Sequence, residues 1–198
     1  MALEVLMAAW GGHRKGRHRL IAVTGRPDDL DLPAAIRDAV TTTYRHLTGP
    51  VLGHAFDVNF GLSGMRKLAA QLGDPRKGWR ARFATPEKLV SALTRLRLCL
   101  EEEYGAPGAM RPLYAGFLDE AAPLVSPGLA EAAGLYREAG GCWSAMAAAA
   151  DSMAEDVVRG DPLDGLDELA SLAARAVAVE ERAAEALQRS GAVRASVD

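Results

Sequence analysis

The chain has 198 residues, 49% of them apolar, with a formal charge of −3 and a pI near 5.8. That length and apolar content fit one globular domain with a real core and exclude a disordered chain. The mildly acidic balance lacks the clustered basic footprint that duplex nucleic acid demands, so nucleic acid is not an expected partner.

The start, Ala2 to Trp10, reads as a short apolar helix. Gly11 to Arg19 (GGHRKGRHR) is a basic loop, the wrong order for an export signal. Leu20 to Thr24 (LIAVT) is the one strand candidate. From Pro33 the helical period takes over: Ile36, Val40, Tyr44 and Leu47 form a stripe that Gly49 and Pro50 stop. Leu62, Met65, Leu68, Ala69 and Leu72 form the next, ended by Gly73-Asp74-Pro75. Thr85 is a predicted N-cap, with Pro86 and Glu87 in the first turn and Leu89, Val90, Leu93, Leu96 and Leu100 at helical spacing behind it. Gly105, Pro107 and Gly108 make a turn, after which Arg111 opens a helix with Pro112 at its first position. Tyr114, Phe117, Leu118 and Ala121 share one face of it. Pro123 to Gly128 breaks the chain. A short helix over Leu129 to Tyr136 is expected next, then Gly140-Gly141 as a separator, then a helix carrying Trp143, Met146, Ala150, Met153 and Val157. Leu166, Leu169, Ala173, Val177, Ala184 and Leu187 outline a final helix, and the tail from Gly191 is expected to fray. The aromatic share is only 6% and alanine is abundant, so helices can approach closely. The sum is an all-α fold: a single helical bundle over residues 1–190 of roughly seven to eight helices, with at most a minor β element near the N-terminus.

No apolar run reaches the roughly 18–20 residues of a membrane span, so a cytoplasmic, non-membrane protein is expected. Cys99 and Cys142 lack metal-ligand spacing, so no metal and no cofactor is expected. Cys99 reads as core; Cys142, after two glycines at an expected helix start, reads as a core thiol or a thiolate activated by that terminus. No nucleophile elbow, phosphate loop, HExxH or dinucleotide pattern is present, so no catalytic residue is assigned. Gly61 to Lys67 (GLSGMRK) suits either an anion-binding helix start or close helix packing. His13 and His18 lie in the basic loop, as a clamp for an acidic partner or as solvated side chains. Two groups offer a substrate site. Arg111 sits at a helix start beside glycines, where a guanidinium and backbone N–H groups can grip one anion, and Tyr114 stands one turn along. The alternative is that Arg111 pairs with one of Glu101, Glu102 and Glu103 or caps a carbonyl. His54, Asp57 and Asn59 offer a second wall, with Asp57 fixing the imidazole or serving as an N-cap.

Several segments together resemble one family. These are Trp10, the HRLIAV run, DLPAAIRDAV, WRARFATPEKL, the block YGAPGAMRPLYAGFLDEAA from Tyr104 to Ala122, and the helix carrying Trp143. They look like the C-terminal helical half of the butirosin-biosynthesis protein H family of natural-product acyltransferases. Pro107 and Ala109 depart from that pattern, standing where glycines are commoner. The resemblance implies an N-terminal partner half with a papain-type Cys–His pair, absent from this chain. The whole protein would move an aminoacyl group from a carrier protein to an amine. For this chain it implies a subunit of an antibiotic-biosynthesis enzyme, the alternatives being a fragment of a longer chain or a half with a task of its own. That subunit completes the substrate pocket of a second protein chain and acts on an amino-acid-derived, free or carrier-bound intermediate. The reaction is acyl transfer to an amine, or amine cyclisation of the azinomycin type that closes an aziridine with loss of sulfate. The expected association is an obligate complex burying more than about 2,000 Å². The alternative is a non-catalytic binding or scaffold module that stabilises a partner.

Overall fold

The computed structural model describes Gly25 and residues 30–103, 107–159 and 165–194. By its internal contacts the chain divides at Asp31, where the sequence suggested no boundary, and the unit Leu32–Asp198 is the bundle. The expected strand at Leu20 to Thr24, the basic loop with His13 and His18, and the apolar start lie outside the described residues. Within them the fold is all-α: seven α-helices and no strand.

The helices are α1 (Leu32–Thr48), α2 (Gly61–Gly73), α3 (Trp79–Arg82), α4 (Pro86–Glu101), α5 (Arg111–Ala121), α6 (Leu129–Arg159) and α7 (Leu166–Arg189). Their ends follow local chemistry. Gly49-Pro50 stops α1 and Gly73-Asp74-Pro75 stops α2, whose end is held where Asp74 Oδ1 accepts from Arg76 N at 2.8 Å. Thr85 caps α4, accepting from Lys88 N, with Pro86 at the first position.

The long helices α6 and α7 pack along each other and carry the core between them. Around one stretch gather Leu72, Leu89, Leu93, Trp143, Met146 and Leu169. Around the other gather Val40, Leu118, Leu129, Tyr136 and Leu187. The small side chains on this seam, Ala132, Ala133, Ala139, Ala173, Ala176 and Ala183, are all fully buried. They let the two axes approach, as the alanine content implied.

Two expectations need correction. Gly140-Gly141 does not separate two helices: α6 runs unbroken through it for 31 residues. The packing explains Gly140. A Cβ there would stand 2.9 Å from Pro112 Cδ, so the missing side chain lets the start of α5 close on α6. The tail is held further than expected. Ala192 is buried, and Arg194 N donates to Thr41 Oγ1 at 3.0 Å. Residues 195–198 lie outside the described residues.

The glycine pair in GLSGMRK is a packing device. Gly61 has φ +53 and its Cβ would meet Leu47 O at 2.3 Å, while a Cβ on Gly64 would meet Asn59 O at 2.4 Å. These glycines seat the start of α2 against the end of α1 and against the turn before it.

Candidate functional site

The turn before α5 is the most unusual backbone of the described chain. Gly108, Ala109 and Met110 take φ of +63, +53 and +64, three left-handed residues in succession. Ala109 and Met110 are the positive-φ residues other than glycine among those described. An L-residue in that region costs roughly 1–2 kcal/mol, and such strain gathers at functional sites. Glycine is absent at position 109, where it would relieve the strain. The turn is secured from three directions. Gly108 N donates to Glu101 Oε1 at 3.3 Å, Gly108 lies against the Gly140 backbone of α6, and Ala109 O accepts from Arg111 Nη1 at 3.0 Å.

This turn aims Arg111 into the bundle. Its Nε donates to Oε1 of Glu180, a residue of α7 with no exposed surface, at 2.5 Å. Trp143 Nε1, from α6, donates to the same oxygen at 2.8 Å. Arg111 is therefore in a structural ion pair, with Glu180 as partner and not Glu101, Glu102 or Glu103. Two of its three nitrogens, Nε and Nη1, are thereby engaged within the protein. Glu180 Oε2 has no partner.

Beside this pair lies a cavity of about 290 Å³ lined by Thr43 and Leu47 of α1, Tyr114 and Phe117 of α5, Tyr136 of α6 and Glu180 of α7. Met110, Arg111 and Leu113 complete the lining, and Met110 and Leu113 are exposed there. Tyr114 meets Tyr136 edge to face at 4.9 Å between centroids and stacks on Phe117 at 5.9 Å. Neither tyrosine hydroxyl makes a hydrogen bond of ordinary geometry, although Thr43 stands near enough to Tyr114 to act on its phenol as a donor. Burial pushes the Tyr114 phenol up to about 12, with Thr43 and the Arg111 charge opposing, and burial raises Tyr136 as well. Both hydroxyls thus stay protonated near neutral pH. Tyr114 OH, Tyr136 OH and Glu180 Oε2 are the buried side-chain polar atoms left without a partner among the described residues, and all belong to this one cavity. A buried polar atom left unpaired costs about 1–3 kcal/mol, so three around one space make this cavity the candidate site of the described residues. Tyr136→Phe, which removes one such hydroxyl and keeps the ring, is expected to raise stability by about 1 kcal/mol, roughly 2–4 °C in melting temperature. A fall in a thermal melt would mean that the hydroxyl is already satisfied.

Arg111 and Tyr114 are thus brought together, but His54, Asp57 and Asn59 are not among the residues lining this cavity. They build their own turn. His54 caps the short 3-10 helix Ala55–Asn59, accepting at Nδ1 from Phe56 N at 3.1 Å. Asp57 takes the reciprocal role and accepts from Val51, Leu52 and His54 N–H groups at 2.7–3.0 Å. Its carboxyl is held below its ordinary value, first by the Leu52 N–H. It does not orient the imidazole. Asn59 bridges Phe56 O and Lys67 Nζ. The second wall of the cavity is Tyr136 and Glu180 instead. Cys142 is buried in mid-α6, so no helix terminus activates it. Cys99 is half-buried, its Sγ donating to Glu103 Oε2 at 3.7 Å.

A larger groove of about 740 Å³ runs between α3 and α4, lined by Trp79, Phe83 and Leu96 among others. None of the buried unpartnered atoms faces it. No metal-ligand cluster occurs among the described residues, and no described helix is long and apolar enough to cross a membrane.

A family model described as a domain of unknown function, DUF4872, matches residues 2–187. The chain belongs to the DUF4872 family. No curated protein and no solved structure matches it. The DUF4872 match spans every element that lines the cavity, from Thr43 to Glu180. The site is therefore part of the family domain and not of an appended segment.

Proposed function

We propose that this chain is the substrate-holding subunit of a two-component enzyme of bacterial secondary metabolism, acting in the cytoplasm. It would present a small, amino-acid-derived, free or carrier-bound intermediate to catalytic groups on a partner chain. The observation that carries the reading is the convergence of three unpartnered buried oxygens, from α5, α6 and α7, on one cavity. A fold that only braces a partner has no reason to bear that cost at a single place. The cavity walls contain no cysteine, serine or histidine; their hydroxyls are those of Thr43 and of two tyrosines kept protonated by burial, with no imidazole base beside them. That favours binding and positioning here, with the chemistry elsewhere. The resemblance to the helical half of the butirosin-biosynthesis protein H family supports acyl transfer to an amine, or amine cyclisation, as the reaction class.

The test is co-expression of the tagged chain with the product of the adjacent reading frame. The expected result is a stable heteromer with a turnover that neither chain has alone. Tyr136→Phe in that heteromer is expected to lower turnover about tenfold with assembly unchanged. A heteromer whose turnover ignores Tyr136 would favour the bracing role instead. A monomer fully active alone would remove the two-component reading.

A further inference from the structure

We propose that the cavity reads a primary ammonium group at the end of a small ligand, held by Glu180 Oε2 together with the hydroxyl oxygens of Tyr114 and Tyr136. The inference deepens the substrate-holding role above and rests on it.

Three features select this head group. The first is the kind of atom left over. All three unpartnered atoms are oxygens with lone pairs to offer, and one belongs to a carboxylate. An ammonium carries three N–H donors and no acceptor, which matches three acceptors on three different helices. A carboxylate or phosphate head would set its own oxygens against Glu180 Oε2.

The second is what Arg111 is doing. Its Nε is committed to Glu180 Oε1 and its Nη1 to Ala109 O. Arg111 and Trp143 both load Oε1, which leaves Oε2, the other oxygen of this cavity-lining residue, without a partner in the protein. The arginine positions the carboxylate and does not read the ligand. Its side chain keeps 23% of its surface exposed, so solvent screens its charge from a second cation better than a fully enclosed site would.

The third is the wall. The rings of Tyr114, Phe117 and Tyr136 stand around the space, with Tyr114 edge-on to Tyr136. Aromatic faces attract a cation, more so when it is desolvated. The volume, about 290 Å³, is roughly twice the ~150 Å³ that accommodates benzene in an engineered cavity. It leaves room for a short aliphatic or hydroxylated stem behind the ammonium, toward exposed Leu113.

Calorimetric titration of the whole chain at neutral pH and constant ionic strength tests this with n-butylammonium chloride, 1-butanol and sodium butyrate. The ammonium is expected to bind saturably, at least about tenfold tighter than the alcohol or the carboxylate. Tyr114→Phe and Tyr136→Phe, which keep the rings, are each expected to weaken it roughly three- to tenfold. Three outcomes overturn the proposal. Butanol binding as well as the ammonium would make the cavity an apolar site with a neutral head, and leave the substrate-holding role intact. Butyrate binding best would make Arg111 the reader after all, again leaving that role intact. Binding of none of the three would remove both the ammonium site and the ligand cavity on which it rests.

Discussion

Arg111→Met is expected to cost about 3 kcal/mol of stability and to lower the melting temperature by roughly 6–12 °C. The cost does not come from the arginine's own contacts, which are few. It comes from Glu180. That carboxylate has no exposed surface and meets Arg111 Nε and Trp143 Nε1 on one oxygen. Remove the guanidinium and a charge is left in the core with a single neutral donor. Breaking such a pair is worth far more than the pair itself contributes. The double variant Arg111→Met with Glu180→Leu is therefore expected to recover at least half of the loss. Arg111→Lys keeps the charge but has one nitrogen to serve both Glu180 Oε1 and Ala109 O, so a smaller fall is expected. A melting temperature unchanged in Arg111→Met would show that the pair is not buried in solution.

That ion pair also shows what the sequence could and could not tell. The helical stripes were legible because apolar residues recur at helical spacing, and α1, α2, α4, α5 and α7 all follow them. Arg111 stood out because a turn of glycines and proline runs into it. Its partner did not, since Glu180 is 69 residues away. Yet a signal was there. The final stripe runs Leu166, Leu169, Ala173, Val177, Ala184 and Leu187, and position 180 continues it by spacing while carrying a carboxylate. A charge on the apolar face of an amphipathic helix calls for a buried cation or a ligand. Tyr136 was hidden differently: on a stripe it reads as an ordinary core aromatic, and only its unpartnered hydroxyl marks it as more. The His54, Asp57 and Asn59 group misled because a carboxylate three residues from an imidazole fits a capping box as well as a proton relay. The backbone N–H groups of Val51, Leu52 and His54 took the carboxylate first.

The misread helix break at Gly140-Gly141 yields the sharpest comparison. Both glycines lie within α6, and helix propensity favours alanine over glycine at each by about 1 kcal/mol. Their surroundings differ. A Cβ at position 141 would meet nothing within 4 Å. A Cβ at position 140 would stand 2.9 Å from Pro112 Cδ and 3.3 Å from Arg111 Cβ. The proline ring cannot swing aside, so the start of α5 must move away from α6. Gly141→Ala is expected to stabilise by the full propensity gain, about 1 kcal/mol. Gly140→Ala is expected to fall below it by about 2 kcal/mol, roughly 4–8 °C, because overpacking outweighs the same gain. The displacement also acts on the site. Arg111 begins the helix that must shift, so Glu180 Oε2 and the two tyrosine hydroxyls lose their common focus, and n-butylammonium binding is expected to weaken in Gly140→Ala and to survive in Gly141→Ala. Equal melting temperatures for the two variants would mean that α5 does not rest on Gly140, and with it would go the reason the cavity has its shape.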